Sequence, residues 1–307
     1  MPSCAYTAAA ITFLILTGGL ASAQQATVAV TSHPAGAKVY VNGYYKGRTP
    51  STVTIDSATA EEALYVFTLH LPGFKAWEAK IGLSLGQNKS LYAALERLPS
   101  AVSGRTICID PGHPSETSPG TTGPTGVSEN HINWVIATKL RADLEASGAT
   151  VVMTKQTENE HVTNRRRAEI ANAAGAAIMI RLHCDAAPTR GYAIYAPDRQ
   201  GTRDGVTGPS RAVIDRSTAA MRPFYEGMTS VLSGTLPGRG THGDSATYVG
   251  SRQGALTGSI FSEVPTLTIE MCVLTNARDE AFISSAAGQQ KMVEALRAGL
   301  EHVFRAQ

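Results

Sequence analysis

The hydrophobic pattern of this 307-residue chain changes period near Pro99, and that change limits the folds open to it more than any other feature. Upstream, short segments alternate in polarity with a repeat of two: Thr27-Val28-Ala29-Val30, Lys38-Val39-Tyr40-Val41 and Leu64-Tyr65-Val66-Phe67-Thr68-Leu69. Successive side chains of a strand point to opposite faces, so this repeat predicts strands, and Asn42-Gly43 predicts a tight hairpin. Downstream, apolar stretches of strand length alternate with longer helical ones. Strands are expected at 105–109, 149–154, 177–182, 192–195 and 266–271, and helices at 129–146, 163–174, 210–232 and 288–304. This alternation predicts an α/β domain over 105–307, with a twisted, largely parallel sheet flanked by helices. A small all-β, sandwich-like domain over 26–98 precedes it, and 99–104 has the composition of a linker.

At 43% hydrophobic and 17% charged residues the chain can bury sizeable cores, and a formal net charge of +2 gives no basis for nucleic-acid binding. The run Arg165-Arg166-Arg167 lies in an alanine-rich helical segment and reads mainly as a solvated helix face. Its minority reading gives one arginine a structural or substrate-contacting role. The N-terminus has an apolar run from Ala8 to Leu16, then Gly18-Gly19 and the small-residue site Ala21-Ser22-Ala23. Residues 1–23 are therefore expected to be a secretory signal peptide, although no Lys or Arg stands near the start. An uncleaved anchor is the alternative, but the run falls short of the ~20 residues that span a bilayer. Cleavage would leave no stable membrane anchor and place the mature chain in the periplasm or cell envelope. It would also remove Cys4, leaving Cys108, Cys184 and Cys272, each in or beside an apolar stretch and expected as a buried thiol, with a pair between two of them open.

Four residues carry the chemistry. His113 follows the first expected strand of the α/β domain, Glu129 opens its first helix, His183 ends the third strand, and Glu270 lies near the end of the 266–271 strand. Ligand sites in such sheets form beyond the carboxyl ends of strands, so the four can converge on one rim. Two imidazoles and a carboxylate can hold a zinc ion with one position open, and a further carboxylate can move protons. For Glu129 alone, a first-turn carboxylate favoured by the helix dipole is the simpler reading. Asp110 and Asp185 are candidates to orient the imidazoles, with loop capping an equal alternative. His33 and His70 stand alone in the β region, and His131, His161 and His242 are expected to be peripheral. Gly243-Asp244-Ser245 lacks a strand-to-helix elbow, and Cys184 points away from His183, so neither supports a serine or thiol hydrolase.

Two resemblances sharpen this reading. Pro34-Ala35-Gly36-Ala37 through Asn42-Gly43, Gly47-Arg48-Thr49-Pro50 and Leu71-Pro72-Gly73-Phe74 resemble the PEGA domain family, which leaves a protein or glycan partner of this module open. From Arg105 onward the chain resembles the zinc-dependent N-acetylmuramoyl-L-alanine amidases of the Amidase_3 family. The likeness rests on Ile109-Asp110-Pro111-Gly112-His113, Glu129 with Asn133, Arg167 with Ala171-Asn172, the His183 strand end, and Ile269-Glu270 with Leu274-Thr275-Asn276. It implies that His113, Glu129 and His183 ligate zinc, that Glu270 is the catalytic carboxylate, and that peptidoglycan is the substrate, cut between N-acetylmuramic acid and L-alanine. Pro114-Ser115-Glu116 stands where many members have a second glycine and an aspartate, and Lys155 where arginine is common. The alternatives are a wall-binding or regulatory protein without activity, and a zinc peptidase acting on the stem peptide.

Overall fold

The structure, a computed structural model, describes residues 25–307 apart from Ser57, Pro72 and Arg97, so the expected signal peptide and Cys4 lie outside the described residues. Two compact units divide between Leu98 and Pro99.

The first unit contains β1 (Ala26–His33), β2 (Lys38–Val41), β3 (Tyr44–Arg48), β4 (Ser51–Ile55), β5 (Ala63–His70), β6 (Trp77–Leu83) and β7 (Asn88–Ala94). They form two sheets, ordered β4-β1-β7 and β3-β2-β5-β6. The alternation legible in the sequence is the alternation of burial: Val28, Val30, Val39, Val41, Phe67 and Leu69 fill the core between the sheets. Asn42 and Gly43 both take positive φ (48° and 84°), the backbone that a two-residue hairpin needs to match strand twist.

The second unit contains β8 (Thr106–Pro111), α1 (Glu129–Ala146), β9 (Thr150–Met153), α2 (Asn164–Ala173), β10 (Ile178–Asp185) and β11 (Tyr192–Ala196). After these come β12 (Gly201–Arg203), β13 (Val206–Gly208), α3 (Arg211–Leu232), β14 (Gly238–Gly243), α4 (Gly250–Gln253), α5 (Thr257–Ile260), β15 (Thr266–Val273), α6 (Ala277–Ser284) and α7 (Ala286–Arg305). The main sheet runs β14-β11-β15-β10-β8-β9. Its pairings are parallel except β11 with β15, so the sheet is mixed, with β11 and β14 running against the other four strands. Residues 186–191 are too few to carry a crossover, so β11 comes back antiparallel.

Strand alternation divides the sheet's residues between two faces. Ile107, Ile109, Ile180, Leu182, Leu267 and Ile269 meet α1, α3 and α7 in the main core, to which α1 gives Ile132, Ile136, Leu140 and Leu144. Cys108 and Met179 point the other way and pack with Ala171 of α2 in a small cluster. Asp110, Arg181, His183, Thr268 and Glu270 share the parity of this second face. Their face is the one α2 covers, and the functional residues crowd its carboxyl edge.

Ser128, Thr163, Ser210 and Ser285 each accept a first-turn backbone N–H, which fixes where α1, α2, α3 and α7 begin. Residues 201–208 form the β12–β13 hairpin. No helix among the described residues is long and apolar enough to cross a membrane.

Candidate metal centre

His113 follows β8 directly and takes φ +63°, with Gly112 N–H bonded to the Leu182 carbonyl at 2.9 Å. A Cβ on Gly112 would run into the His183 ring, so only glycine lets the two histidine-bearing segments come this close. His113 Nδ1 lies 3.0 Å from the Ser118 carbonyl. A carbonyl only accepts, so Nδ1 carries the proton and Nε2 keeps its lone pair.

That Nε2 lies 3.2 Å from Glu129 Oε1, and His183 Nδ1 lies 3.0 Å from the same oxygen. The three donor atoms fall within 4.8 Å of one another, and the imidazoles meet edge to face at 4.9 Å. Glu129 is held by its surroundings: Oε2 accepts from Thr121 N–H (2.9 Å), and Oε1 accepts from Cys184 N–H (3.1 Å) and Asn133 Nδ2 (3.4 Å). Burial disfavours its charge, but the two imidazoles beside it outweigh this and keep the carboxyl well below the usual range. Burial pushes His183 down, towards the neutral imidazole that ligates metals. The donor set therefore suits a divalent cation, with an ionised carboxylate and two ring nitrogens aimed at one point.

Glu270 is paired with His183 in the β10–β15 register, which puts its carboxyl beside the triad. Its Oε2 is buried and has no protein partner. Burial, with Glu129 and Asp185 nearby, pushes its pKa well above the ordinary carboxylate value. Glu129 and Glu270 are thus driven apart, one towards the ionised form and one towards the protonated form. A cleft of about 480 Å³ opens over this group, lined by His113, His183 and Glu270 on one side and by Tyr248, Leu256 and Thr257 on the other.

The expected roles of Asp110 and Asp185 need correction. Asp110 accepts from Thr154 Oγ1 and Arg167 Nη1, both at 2.5 Å, and from Arg181 Nε at 2.9 Å, and no imidazole is among its partners. It sits below the sheet's edge, where two guanidiniums reach it before any histidine does. Asp185 pairs with Arg239 at 2.8 Å and accepts from Ala186 N–H. Backbone atoms orient His113 instead, and a backbone carbonyl such as Ser118's leaves no trace in a sequence. Arg167 is the buried member of the arginine run, 1% exposed, and donates to the carbonyls of Pro111, Pro114 and Val162. Lys155, also 1% exposed, donates to the His113 carbonyl, Asn130 Oδ1 and the Glu158 carbonyl, and burial lowers its pKa to about 8. In the departing segment, Glu116 accepts from Asn164 N–H at the start of α2. His131 meets Glu158, and His242 bonds the Arg239 carbonyl and lies against Tyr195, both away from the triad. Cys108, Cys184 and Cys272 are free and buried.

Comparison with known proteins agrees with this geometry. The chain is 23% identical over 241 residues to N-acetylmuramoyl-L-alanine amidase Rv3717 of Mycobacterium tuberculosis, covering 72% of this chain and 95% of that protein. It is 23% identical over 227 residues to N-acetylmuramoyl-L-alanine amidase AmiA of Escherichia coli, covering 65% and 76%. Among solved structures, the amidase Ami1 of Mycobacterium smegmatis superposes with a TM-score of 0.55 at 21% identity, over 67% of this chain and 99% of that one, a likeness of fold. The PEGA domain family matches residues 25–99 and the Amidase_3 family, described as N-acetylmuramoyl-L-alanine amidase, matches residues 107–302. The chain belongs to the Amidase_3 family of N-acetylmuramoyl-L-alanine amidases and carries a PEGA domain ahead of its catalytic unit.

Proposed function

We propose that this amidase acts on peptidoglycan in the cell envelope through a zinc ion held by His113, Glu129 and His183, with Glu270 as its proton carrier. The bond cleaved is the amide between the lactyl group of N-acetylmuramic acid and the L-alanine that begins the stem peptide. The observation that carries this reading is the aim of both ring nitrogens at Glu129 Oε1, with the partnerless Glu270 Oε2 beside them.

Bound in this set, zinc would polarise the amide carbonyl and lower the pKa of water from about 16 to about 7. The chain's own residues do the rest. Ser118 and Thr121 hold His113 and Glu129 in ligating geometry through backbone bonds. Glu270 accepts the proton of the attacking water and passes it to the departing nitrogen of L-alanine, which must leave as a neutral amine. Its raised affinity for a proton suits it to hold that proton between the two transfers. The apolar run and small-residue site of residues 1–23 support export to the compartment where the polymer lies.

Dye release from labelled peptidoglycan, run with and without a chelator and followed by zinc readdition, tests the metal. Loss on chelation and recovery with zinc is expected, and full activity in chelator would refute it. Mass spectrometry of the fragments tests the bond. Stem peptides beginning with free L-alanine are expected, while disaccharides retaining alanine would make the protein a peptidase.

A further inference from the structure

We infer that Arg181 forms a carboxylate-binding subsite in the floor of the catalytic cleft, and that it reads the free α-carboxylate of the second stem-peptide residue. The inference rests on the amidase reading above and names what else that site recognises.

Arg181 is 4% exposed and lines the cleft. Its Nε donates to Asp110 and its Nη2 to Asn164 Oδ1 at 2.7 Å, but Nη1 donates to no atom of the described residues. Arg167, its neighbour across Asp110, is by contrast fully engaged, with Nε, Nη1 and Nη2 all donating to protein oxygens. Two buried guanidiniums thus share one carboxylate. Asp244 and Glu270 also feel the Arg181 charge, but neither comes within ion-pair distance of it among the described residues. Nη1 is therefore a cationic donor left open on the cleft floor, and an anion entering the cleft can take it.

A buried hydroxyl without a partner stands beside it. Thr268 pairs with Arg181 in the β10–β15 register, lines the same cleft, is 4% exposed, and has a buried Oγ1 without a partner. On the opposite wall Gly258 presses against the guanidinium: a Cβ there would lie 2.6 Å from Nη1. Asp110 and Asn164 pin that guanidinium, so a side chain at 258 would have to displace it.

The reach fits the stem peptide. Arg181 and His183 share a strand face, so their Cα atoms are separated by about 6.6 Å. From the scissile nitrogen to the α-carbon of the second stem residue an extended peptide covers about 5 Å, within that span. In peptidoglycan that second residue is a D-glutamate joined through its side chain, and its α-carboxyl is either free or amidated. A carboxamide offers Nη1 and Thr268 no charge.

The test uses the full, metal-loaded chain and two compounds that differ only there: N-acetylmuramyl-L-alanyl-D-isoglutamate and N-acetylmuramyl-L-alanyl-D-isoglutamine. The wild type should favour the carboxylate about 10- to 100-fold in kcat/KM, mostly through KM, as expected for a buried charge-assisted hydrogen bond. Arg181→Gln should bring the ratio to within about twofold of one, the lost preference being that of the same charged bond. Gly258→Ala, which keeps the charge but pushes the guanidinium from its place, should also narrow the ratio, so the test survives if Arg181→Gln folds poorly. Equal rates in the wild type, or an unchanged ratio in both variants, would overturn the subsite. Calorimetric binding of the same pair gives the ratio without turnover: if neither is hydrolysed the amidase reading fails, while the binding preference still decides the subsite.

Discussion

Asp110→Asn tests the charge network beneath the metal centre. Asp110 is fully buried and, among the described residues, is the only carboxylate paired with Arg167 or Arg181. The isosteric amide keeps the shape and removes the charge, so two buried guanidiniums face each other with no anion between them. Removing one partner of a buried ion pair typically costs about 3–5 kcal/mol. For a unit of this size each kcal/mol lowers the melting temperature by about 2–4 °C, which predicts a fall of roughly 6–20 °C. Burial alone would raise the Asp110 pKa, but Arg167 and Arg181 overcome it and hold the carboxyl well below the usual range. A depressed folded-state pKa gives stability that is complete above the unfolded value of about 4 and is lost as the pH falls towards the folded one. The difference between wild type and variant should therefore be full at pH 7 and smaller at pH 3. Thermal unfolding followed by circular dichroism, with chelator present throughout to exclude metal linkage, measures both. A shift below about 2 °C at pH 7, or a larger one at pH 3, would refute the reasoning, since each kcal/mol is worth at least that much.

Three further outcomes are expected. Glu270→Gln should lower turnover at least about 100-fold while zinc content by mass spectrometry is unchanged, and near-normal turnover would remove Glu270 from the mechanism. Burial pushes Asp244 up to about 6, so the folded state resists its ionisation, and wild-type stability should fall as pH rises from 4 towards 7. In urea titrations Asp244→Asn should escape that fall and gain roughly 3 kcal/mol at pH 7, and no difference between pH 4 and pH 7 would count against it. Gly227 of α3 faces α7 so closely that a Cβ would lie 2.7 Å from Gly299 Cα, and Gly227→Ala should cost about 1–3 kcal/mol in the same titration. An unchanged midpoint would mean the helices separate freely.

The layering was legible because it depends on periodicity. Ile132, Ile136, Leu140 and Leu144 recur at helical spacing, and all are buried, although Val135, three residues after Ile132, is only half-buried. Strand 238–243 escaped notice because its glycines carry no hydrophobic alternation. The minority reading of the arginine run proved right for one residue. Arg167 precedes Ala168 and Ala171, both fully buried, and that shared helix face was the available signal. The partners of Asp110 were not legible. Thr154, Arg167 and Arg181 lie 44, 57 and 71 residues away, and only the assembled sheet edge brings them to it. Lys155 stood out as a departure, yet that its amine grips the His113 carbonyl depends on a backbone direction that no residue type encodes.

The last strand in the sequence, β15, lies inside the sheet, between β11 and β10. Loop closure of this kind is slow, because distant segments must meet before their contacts stabilise anything. It also sets an order of events. A chain emerging N-terminus first can pair β8, β9 and β10 and bring His113, Glu129 and His183 together, but Glu270 comes only when β15 slots between its neighbours. The Glu270 side of the cleft is thereby the last part to assemble, and the four residues stand together only once the sheet closes around its final strand.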